Sequence, residues 1–469
     1  MKKMTTTKKK EVKKNSFVQR TGKEKIEKAK AGKEAATTET RSKRGFNVVR
    51  GMRDVLPKEE RYWKALYHNA EKLAEHFQFG RIDTPIVEDA NLFVRSIGKG
   101  TDVVDKEMYV FEDRDGSKVC LRPEATASVT RAYINGGMWN MQQPVKFWYW
   151  GPMFRHDRPQ AGRYREFNQV GFETFGSDEP ALDAEIILVA YNFYKDLGLS
   201  TQIHINSIGT PEERQRYKTE LVNYYRTKRS YLCEDCRLRI SKNPLRLLDC
   251  KAEQCQPVKE DAPQIIDWLG EESKSHFMKV LEYLDELGVP YVLQSTLVRG
   301  LDYYTHTVFE VYPDVGEEGA QSALGGGGRY DLLAEEMGGR PTPAVGFSGG
   351  VERSVAYLKD SDEKGLVKVP KLESDVFLAQ LGDEARRRSL QLLNDLRESG
   401  IRISYNFSKN SLKTQLEVAN SLALPYVLII GQKEVQDGTV IIRDMESGVQ
   451  ETVDQKKVEN ILKKKLGRV

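Results

Sequence analysis

Long apolar runs are missing from this chain of 469 residues. No stretch reaches the ~18–20 apolar residues that a membrane helix needs. Residues 1–44 hold no apolar segment of the kind a signal peptide requires. Cysteine is scarce as well. Five in 469 residues exclude a disulfide framework and predict a reducing, cytoplasmic setting. A large net charge is also absent: Lys plus Arg number 73 and Asp plus Glu 69, leaving +4. That balance hides an asymmetry. Residues 1–44 hold 13 Lys, 3 Arg and 5 Glu, a net +11, so the remaining chain carries −7. Two phosphate-binding signatures are lacking too. There is no G-x-x-x-x-G-K-[ST], and Gly325–Gly328 does not fit G-x-G-x-x-G in a βαβ context, so neither a P-loop nor a dinucleotide fold is supported. What is present is 39% hydrophobic residues, enough for sizeable cores, in a length that suits two to four domains.

Residues 1–44 read as a basic disordered arm, either a solubilising tail or a non-specific contact for polyanions such as RNA. Globular character begins near Arg44. Apolar residues from Trp63 to Phe77 recur at helical spacing and predict a helix over 58–79, with Gly80 as its C-cap. Residues 81–88 look extended, and Pro85 marks an edge or interface strand. Met108–Phe111 and Lys118–Leu121 flank the turn Asp113–Gly116, a hairpin pattern. Residues 145–155 and 167–175 form a second strand pair, and 180–197 a helix closed by Gly198. Residues 211–290 are charged and helical, ending in an amphipathic helix near 272–287, and read as an insertion. Strands return at 291–293 and 307–312. Helices are expected from Tyr330 and from Gly346. The body, residues 45–358, is thus α+β, an antiparallel sheet with helices grouped around it. A charged linker spans 359–373. Residues 374–469 alternate strand and helix, the rhythm of a small α/β domain.

With no phosphate-cradling loop, arginine is the natural partner for a nucleotide, because its planar fork pairs two phosphate oxygens. Arginines cluster beside strands. One group runs Phe154-Arg155-His156 through Arg163 and Arg165 to Gln169 and Glu173. A second is Arg299-Gly-Leu-Asp-Tyr303-Tyr304, and a third Val351-Glu-Arg353. Glu124-Ala125-Thr126 brings a carboxylate from another strand. Such a set suits a ligand with both anionic and cationic groups.

These segments resemble the class II aminoacyl-tRNA synthetases, and closely the histidyl-tRNA synthetases of bacterial type. Pro85 sits where the family's motif 1 has its proline. Phe154–Glu173 is similar to motif 2, and Gly349–Arg353 to motif 3. Arg299–Tyr304 and Gly326–Tyr330 resemble the two segments that mark histidyl enzymes. The likeness runs from about 46 to 469. It implies activation of L-histidine with ATP to histidyl-adenylate, then transfer to the 3′ end of tRNA(His), by a homodimer. It implies Arg299 as the main catalytic cation, with Arg155 on the α-phosphate, Arg353 on the outer phosphates and Arg163 assisting. Mg2+ accompanies the ATP. Glu124, Ala125 and Thr126 resemble the amino-group site, and Gln169 the residue that meets the substrate carboxylate. Glu173 and Tyr304 resemble the pair that bonds the imidazole, with the assignment open between Tyr303 and Tyr304. Ala125 departs from the glycine often found there. The competing reading is a non-catalytic paralogue serving as regulatory subunit of ATP phosphoribosyltransferase. Such paralogues typically lack the C-terminal domain, which here resembles the anticodon-binding domain of class II synthetases. Arg402, Lys409, Lys413 and Lys433 are its candidate phosphate contacts.

The insertion carries Cys233-x₂-Cys236 and Cys250-x₄-Cys255. The first spacing fits a zinc knuckle and the second is looser. The alternatives are structural Zn2+ or free thiols.

Overall fold

The computed structural model describes residues 46–98, 101–157, 162–314, 323–370, 374–409 and 411–468. The arm 1–44 lies outside the described residues, as does Arg158 of the motif 2 loop. The chain divides into two compact units, between Lys368 and Val369.

In the first unit the strands are β1 (Gly80–Arg81), β2 (Val87–Asp89), β3 (Tyr109–Glu112), β4 (Lys118–Leu121), β5 (Val145–Phe154) and β6 (Glu166–Phe175). They continue as β7 (Thr201–Ser207), β8 (Tyr291–Leu293), β9 (Thr305–Pro313), β10 (Gly325–Arg329) and β11 (Ala344–Gly350). Eight of them form one sheet in the order β1-β5-β6-β11-β10-β9-β7-β8. Its interior pairings are antiparallel, and only β1 on β5 and β8 on β7 run parallel. A separate antiparallel sheet, β2-β4-β3, contains the expected hairpin. The α+β reading therefore holds.

The helix Pro180–Lys195 packs against β11 and β7 and beside the helix Glu271–Glu286, which also touches β9. Its Pro180 stands in the first turn, where a missing N–H costs nothing. The helix Pro211–Thr227 starts in a capping box, Thr210 receiving the Glu213 N–H while Glu213 accepts from the Thr210 N–H. No helix among the described residues is long and apolar enough to cross a membrane.

Three local expectations need correction. The helix Glu60–His76 ends on Gln78, whose φ is 61°, and Gly80 already belongs to β1. Turning two residues early buries Phe79 edge-on against Phe172. The glycine run opens no helix at Tyr330. It is strand β10, and a Cβ on Gly325 would lie 2.6 Å from the Ser348 carbonyl oxygen, so a larger residue would push β11 away. Only the short helix Leu333–Glu336 follows. Gly346–Gly350 likewise belongs to β11, and the helix begins at Val351. That helix runs to Glu363, so the start of the expected linker is helical.

The second unit is a five-stranded sheet of β12 (Val376–Gln380), β13 (Ile403–Tyr405), β14 (Tyr426–Ile430), β15 (Thr439–Asp444) and β16 (Gln450–Asp454), in the order β13-β12-β14-β15-β16. The first three run parallel and the last two antiparallel. Helices Asp383–Glu398 and Leu412–Ser421 make the crossovers. Strands β15 and β16 were not foreseen, because their charged, turn-bounded sequence lacks a long apolar run.

Candidate active site

One face of the large sheet opens into a cavity of about 530 Å³. Of the residues singled out from sequence, Glu124, Thr126, Arg155, Arg163, Gln169, Glu173, Arg299, Tyr303, Tyr304 and Arg353 all line it. Ala125 does not. Its methyl group is buried in the adjoining apolar core at the start of the helix Thr126–Asn135. The four insertion cysteines form a separate cluster.

The carboxylate side is built first from local sequence. Glu124 precedes the helix Thr126–Asn135 and accepts the backbone N–H groups of Thr126 at 2.7 Å and Ala127 at 2.9 Å. Those amides are helix-terminal donors with no partner of their own in the helix, so the carboxylate caps them. Burial pushes the Glu124 carboxyl up, against the pull of those two N–H groups.

Glu173 reaches the same place from β6, and only 1% of it is exposed. Among the described residues no cation pairs with it. Thr126 donates its hydroxyl to Glu173 Oε1 at 2.8 Å, Tyr149 donates to the same oxygen at 3.3 Å, and Tyr330 donates to Oε2. Burial pushes its carboxyl up to about 8, with those hydroxyls working in the opposite direction. Gly346 stands directly across the ladder from Glu173, and a Cβ there would overlap Glu173 Oε2.

Tyr303 and Tyr304, between which the resemblance leaves the assignment open, lie in a turn before β9 rather than in an extended segment, so both reach the cavity, with ring centroids 4.7 Å apart. Tyr304 faces Arg299, whose guanidinium carbon is 5.5 Å from its ring centroid. Tyr330, rather than Tyr304, supplies a hydroxyl to Glu173. Sequence reading quoted the segment Gly326–Tyr330 without giving its tyrosine this part.

The opposite side is cationic. Arg155 donates Nε to the Pro123 carbonyl at 2.8 Å and lies over the Phe167 ring. Arg353, in the first turn of the helix Val351–Glu363, donates to the carbonyls of Ala323 at 2.6 Å and Gly162 at 3.3 Å. Burial, then the nearby Arg163 charge, holds Arg353 below its ordinary value. Arg163 pairs with Asp157 at 3.2 Å. Gln169 Oε1 is buried with no hydrogen-bond partner among the described residues.

Arg299 pairs with Glu310, a carboxylate that sequence reading missed. Tyr312 donates its hydroxyl to the other Glu310 oxygen at 2.6 Å. The alternation of β9 sends both side chains to one face, the signal that could have found them. Gly326 admits the guanidinium, since a Cβ there would lie 2.6 Å from Arg299 Nη1.

Behind the cavity, Arg329 is fully buried and makes a forked pair with Asp183, its Nε at 3.2 and 3.0 Å from the two oxygens. It also donates to Asp331 at 3.1 Å and to the carbonyl of Ser177 at 3.0 Å. The pairing satisfies the buried charge and anchors the end of β10, one residue from Tyr330.

The four cysteines lie in the helical segment after the helix Pro211–Thr227. Their sulfur atoms all fall within 4.8 Å of one another, with Cys233 and Cys250 sulfurs 3.9 Å apart. The Cys236 N–H donates to Cys233 Sγ at 3.4 Å and the Cys233 N–H to Cys255 Sγ at 3.2 Å. In the second unit, Arg402 pairs with Asp375 at 3.3 Å, while Lys409, Lys413 and Lys433 are exposed.

Comparison with known proteins follows the same outline. Residues 51–211 and 247–353 match the family described as histidyl-tRNA synthetase, and residues 375–465 match the anticodon binding domain. The chain is 46% identical over 409 residues to a histidine–tRNA ligase of Dehalococcoides mccartyi, covering 87% of this chain and 97% of that protein. It superposes on the crystal structure of apo histidyl-tRNA synthetase from S. aureus with a TM-score of 0.73 and 34% identity, covering 89% of this chain and 100% of that one. A protein from Bacillus halodurans described as ATP phosphoribosyltransferase regulatory subunit/histidyl-tRNA synthetase shares the fold, with a TM-score of 0.59 at 21% identity over 82% of this chain and 98% of that one.

Proposed function

The chain belongs to the histidyl-tRNA synthetase family, and from that premise we propose how its cavity divides the work of the reaction. The enzyme is a histidine–tRNA ligase: it activates histidine with ATP and esterifies the 3′ end of tRNA(His) in protein synthesis. In the first step a histidine carboxylate oxygen attacks the α-phosphorus, the bond to the β-phosphate breaks, and pyrophosphate leaves. In the second, a hydroxyl of the terminal ribose attacks the activated carbonyl and AMP leaves.

Glu173 is the imidazole receptor. The observation that carries this role is a buried carboxylate served by three hydroxyls and by no cation. Such a group is left for a ligand N–H, and a site that must bond a ring N–H rejects isosteres lacking it by ~10⁴–10⁵. Glu124 and Thr126 face the substrate ammonium, and Gln169 Oε1 supplies a neutral acceptor or turns its amide toward the carboxylate. Arg299 reaches the developing charge between carboxylate and α-phosphate, with Arg155 on the α-phosphate and Arg353 and Arg163 on the outer phosphates. In a site that excludes water, such preorganised cations count for far more than in solution. Mg2+ bound to ATP offsets phosphate charge.

The finer assignments rest on further observations. A homodimer is supported by Ile86, Val87, Val110 and Phe111, all exposed on or beside the small β2-β4-β3 sheet next to Pro85. Structural Zn2+ on Cys233, Cys236, Cys250 and Cys255 is supported by sulfur spacing close to the roughly 3.8 Å edge of a zinc–thiolate tetrahedron. The exposed lysines of the C-terminal domain serve tRNA phosphates, and a cytoplasmic setting belongs to the same reading. The paralogue alternative is not favoured, since the chain keeps both its arginine set and residues 375–465 of the anticodon binding domain. ATP–pyrophosphate exchange measured with each amino acid tests the proposal. Exchange is expected with histidine alone, and exchange driven by another amino acid overturns it.

A further inference from the structure

We infer that the four-cysteine metal centre is a positioning device for the catalytic cavity, acting through Arg246. The inference rests on the zinc assignment above and adds a residue to the cavity wall.

Arg246 lies in the 3₁₀ turn Pro244–Leu247, between the two cysteine pairs. Its guanidinium lines the cavity together with Arg299 and Gly300. It pairs with Asp102 at 2.9 Å, and a Cβ on Gly300 would lie 3.3 Å from its Nη1. The cation therefore lies close to Gly300, the residue that follows Arg299. Next to it, Leu247 and Leu248 belong to one buried apolar cluster that also holds Cys236, Cys250, Cys255, Leu297, Tyr303 and Tyr304.

A short segment is thus flanked by the two cysteine pairs, shares a buried apolar cluster with the turn that presents Arg299, and brings one side chain close to Gly300 of that turn. Metal–thiolate bonds are a strong restraint on so short a segment. With the metal removed, the segment keeps its packing against the helices Pro211–Thr227 and Glu234–Lys242 and the partly exposed Arg246–Asp102 pair, and such a pair holds little by itself. The wall behind Arg299 then loosens, and a small misplacement of a catalytic cation is costly. Segments outside the family match support a separate role for this region, since residues 212–246 fall between its two matched stretches.

The test uses the full-length purified protein. Metal analysis is expected to return one zinc per chain. Arg246→Ala keeps all four thiols, so zinc content and melting temperature are expected to stay at the parent values. Histidine-dependent ATP–pyrophosphate exchange is expected to fall about tenfold, mainly in kcat. Stripping zinc from the parent with a chelator is expected to lower exchange by a similar factor. Stripping it from Arg246→Ala is expected to add almost nothing, because both changes remove the same restraint. Arg246→Lys, which keeps the charge and loses the flat fork, should recover part of the loss. Less than ~0.2 zinc per chain overturns the zinc assignment itself. Full zinc with parent-like exchange in Arg246→Ala, or losses that multiply when zinc removal and substitution are combined, overturns the coupling and leaves the zinc assignment standing.

Discussion

The two sides of the cavity solve opposite electrostatic problems. On one side, Glu124 and Glu173 are buried carboxylates with no cation in contact, held by backbone N–H groups and hydroxyls. On the other, Arg155 and Arg353 are held by carbonyl oxygens, and Arg299 by one carboxylate. On the acidic side burial favours the protonated form, pushing the Glu173 carboxyl up to about 8. The basic side cannot neutralise, because guanidinium does not give up its proton, so its charge is waiting for an anion. In the function proposed above, the acidic side selects the substrate and the basic side serves the phosphate chemistry.

That division is open to experiment. Arg299→Ala should cause the largest change, lowering histidine-dependent ATP–pyrophosphate exchange by about 10³-fold while the far-UV spectrum stays native. Near-normal exchange would move catalysis away from this side. Next, Gly346→Ala places a methyl group where Glu173 Oε2 lies and should cut kcat/KM for histidine about 100-fold. Its KM for ATP should change far less, and equal losses for both substrates would erase the contrast.

The pH dependence is smaller and has a definite sign. Folding favours the protonated form of Glu173, so the contribution of this group to stability declines as pH rises through about 8. Binding runs the other way, because the ionised carboxylate is the stronger acceptor for a ring N–H. Thus kcat/KM for histidine should rise between about pH 7 and about pH 8.5, with one ionisation. Glu173→Gln is expected to abolish that step along with most of the activity. An unchanged profile in Tyr149→Phe, with the same step merely displaced in Tyr330→Phe, would show which hydroxyl tunes the group. Smallest of all, deletion of residues 1–44 should change pyrophosphate exchange by less than about twofold and weaken only salt-sensitive RNA binding. A large loss of exchange would assign the arm to the catalytic cycle.

Much of this was legible in one dimension. Arg155, Arg299 and Arg353 stand beside strands or at a helix start in contiguous motifs, so local sequence showed them as arginine clusters, and the resemblance to class II synthetases supplied their expected parts. The hairpin at Asp113–Gly116 and the helix closed by Gly198 also came from local rules, because turn residues and helix ends are chosen by backbone sterics. The helix expected from Tyr330 shortens to Leu333–Glu336, and the glycine run before it is a strand squeezed between β9 and β11. The turn before β9 brings both Tyr303 and Tyr304 to the cavity. Glu310 and Tyr312 were hidden in plain alternation on β9, where nothing local says which face meets an arginine.

By itself, then, the sequence determined the inventory: the charged groups, the order of the motifs, the α+β class and the cysteine pairs. Only the tertiary structure decided who meets whom. Glu173 and Tyr330 are 157 positions apart and share a hydrogen bond because β6, β11 and β10 lie side by side. Gly346 faces Glu173 because the β11–β6 register puts it there, and a shift of one residue would turn every partner to the other side of the sheet. Register is a property of the whole ladder, so no single segment carries it.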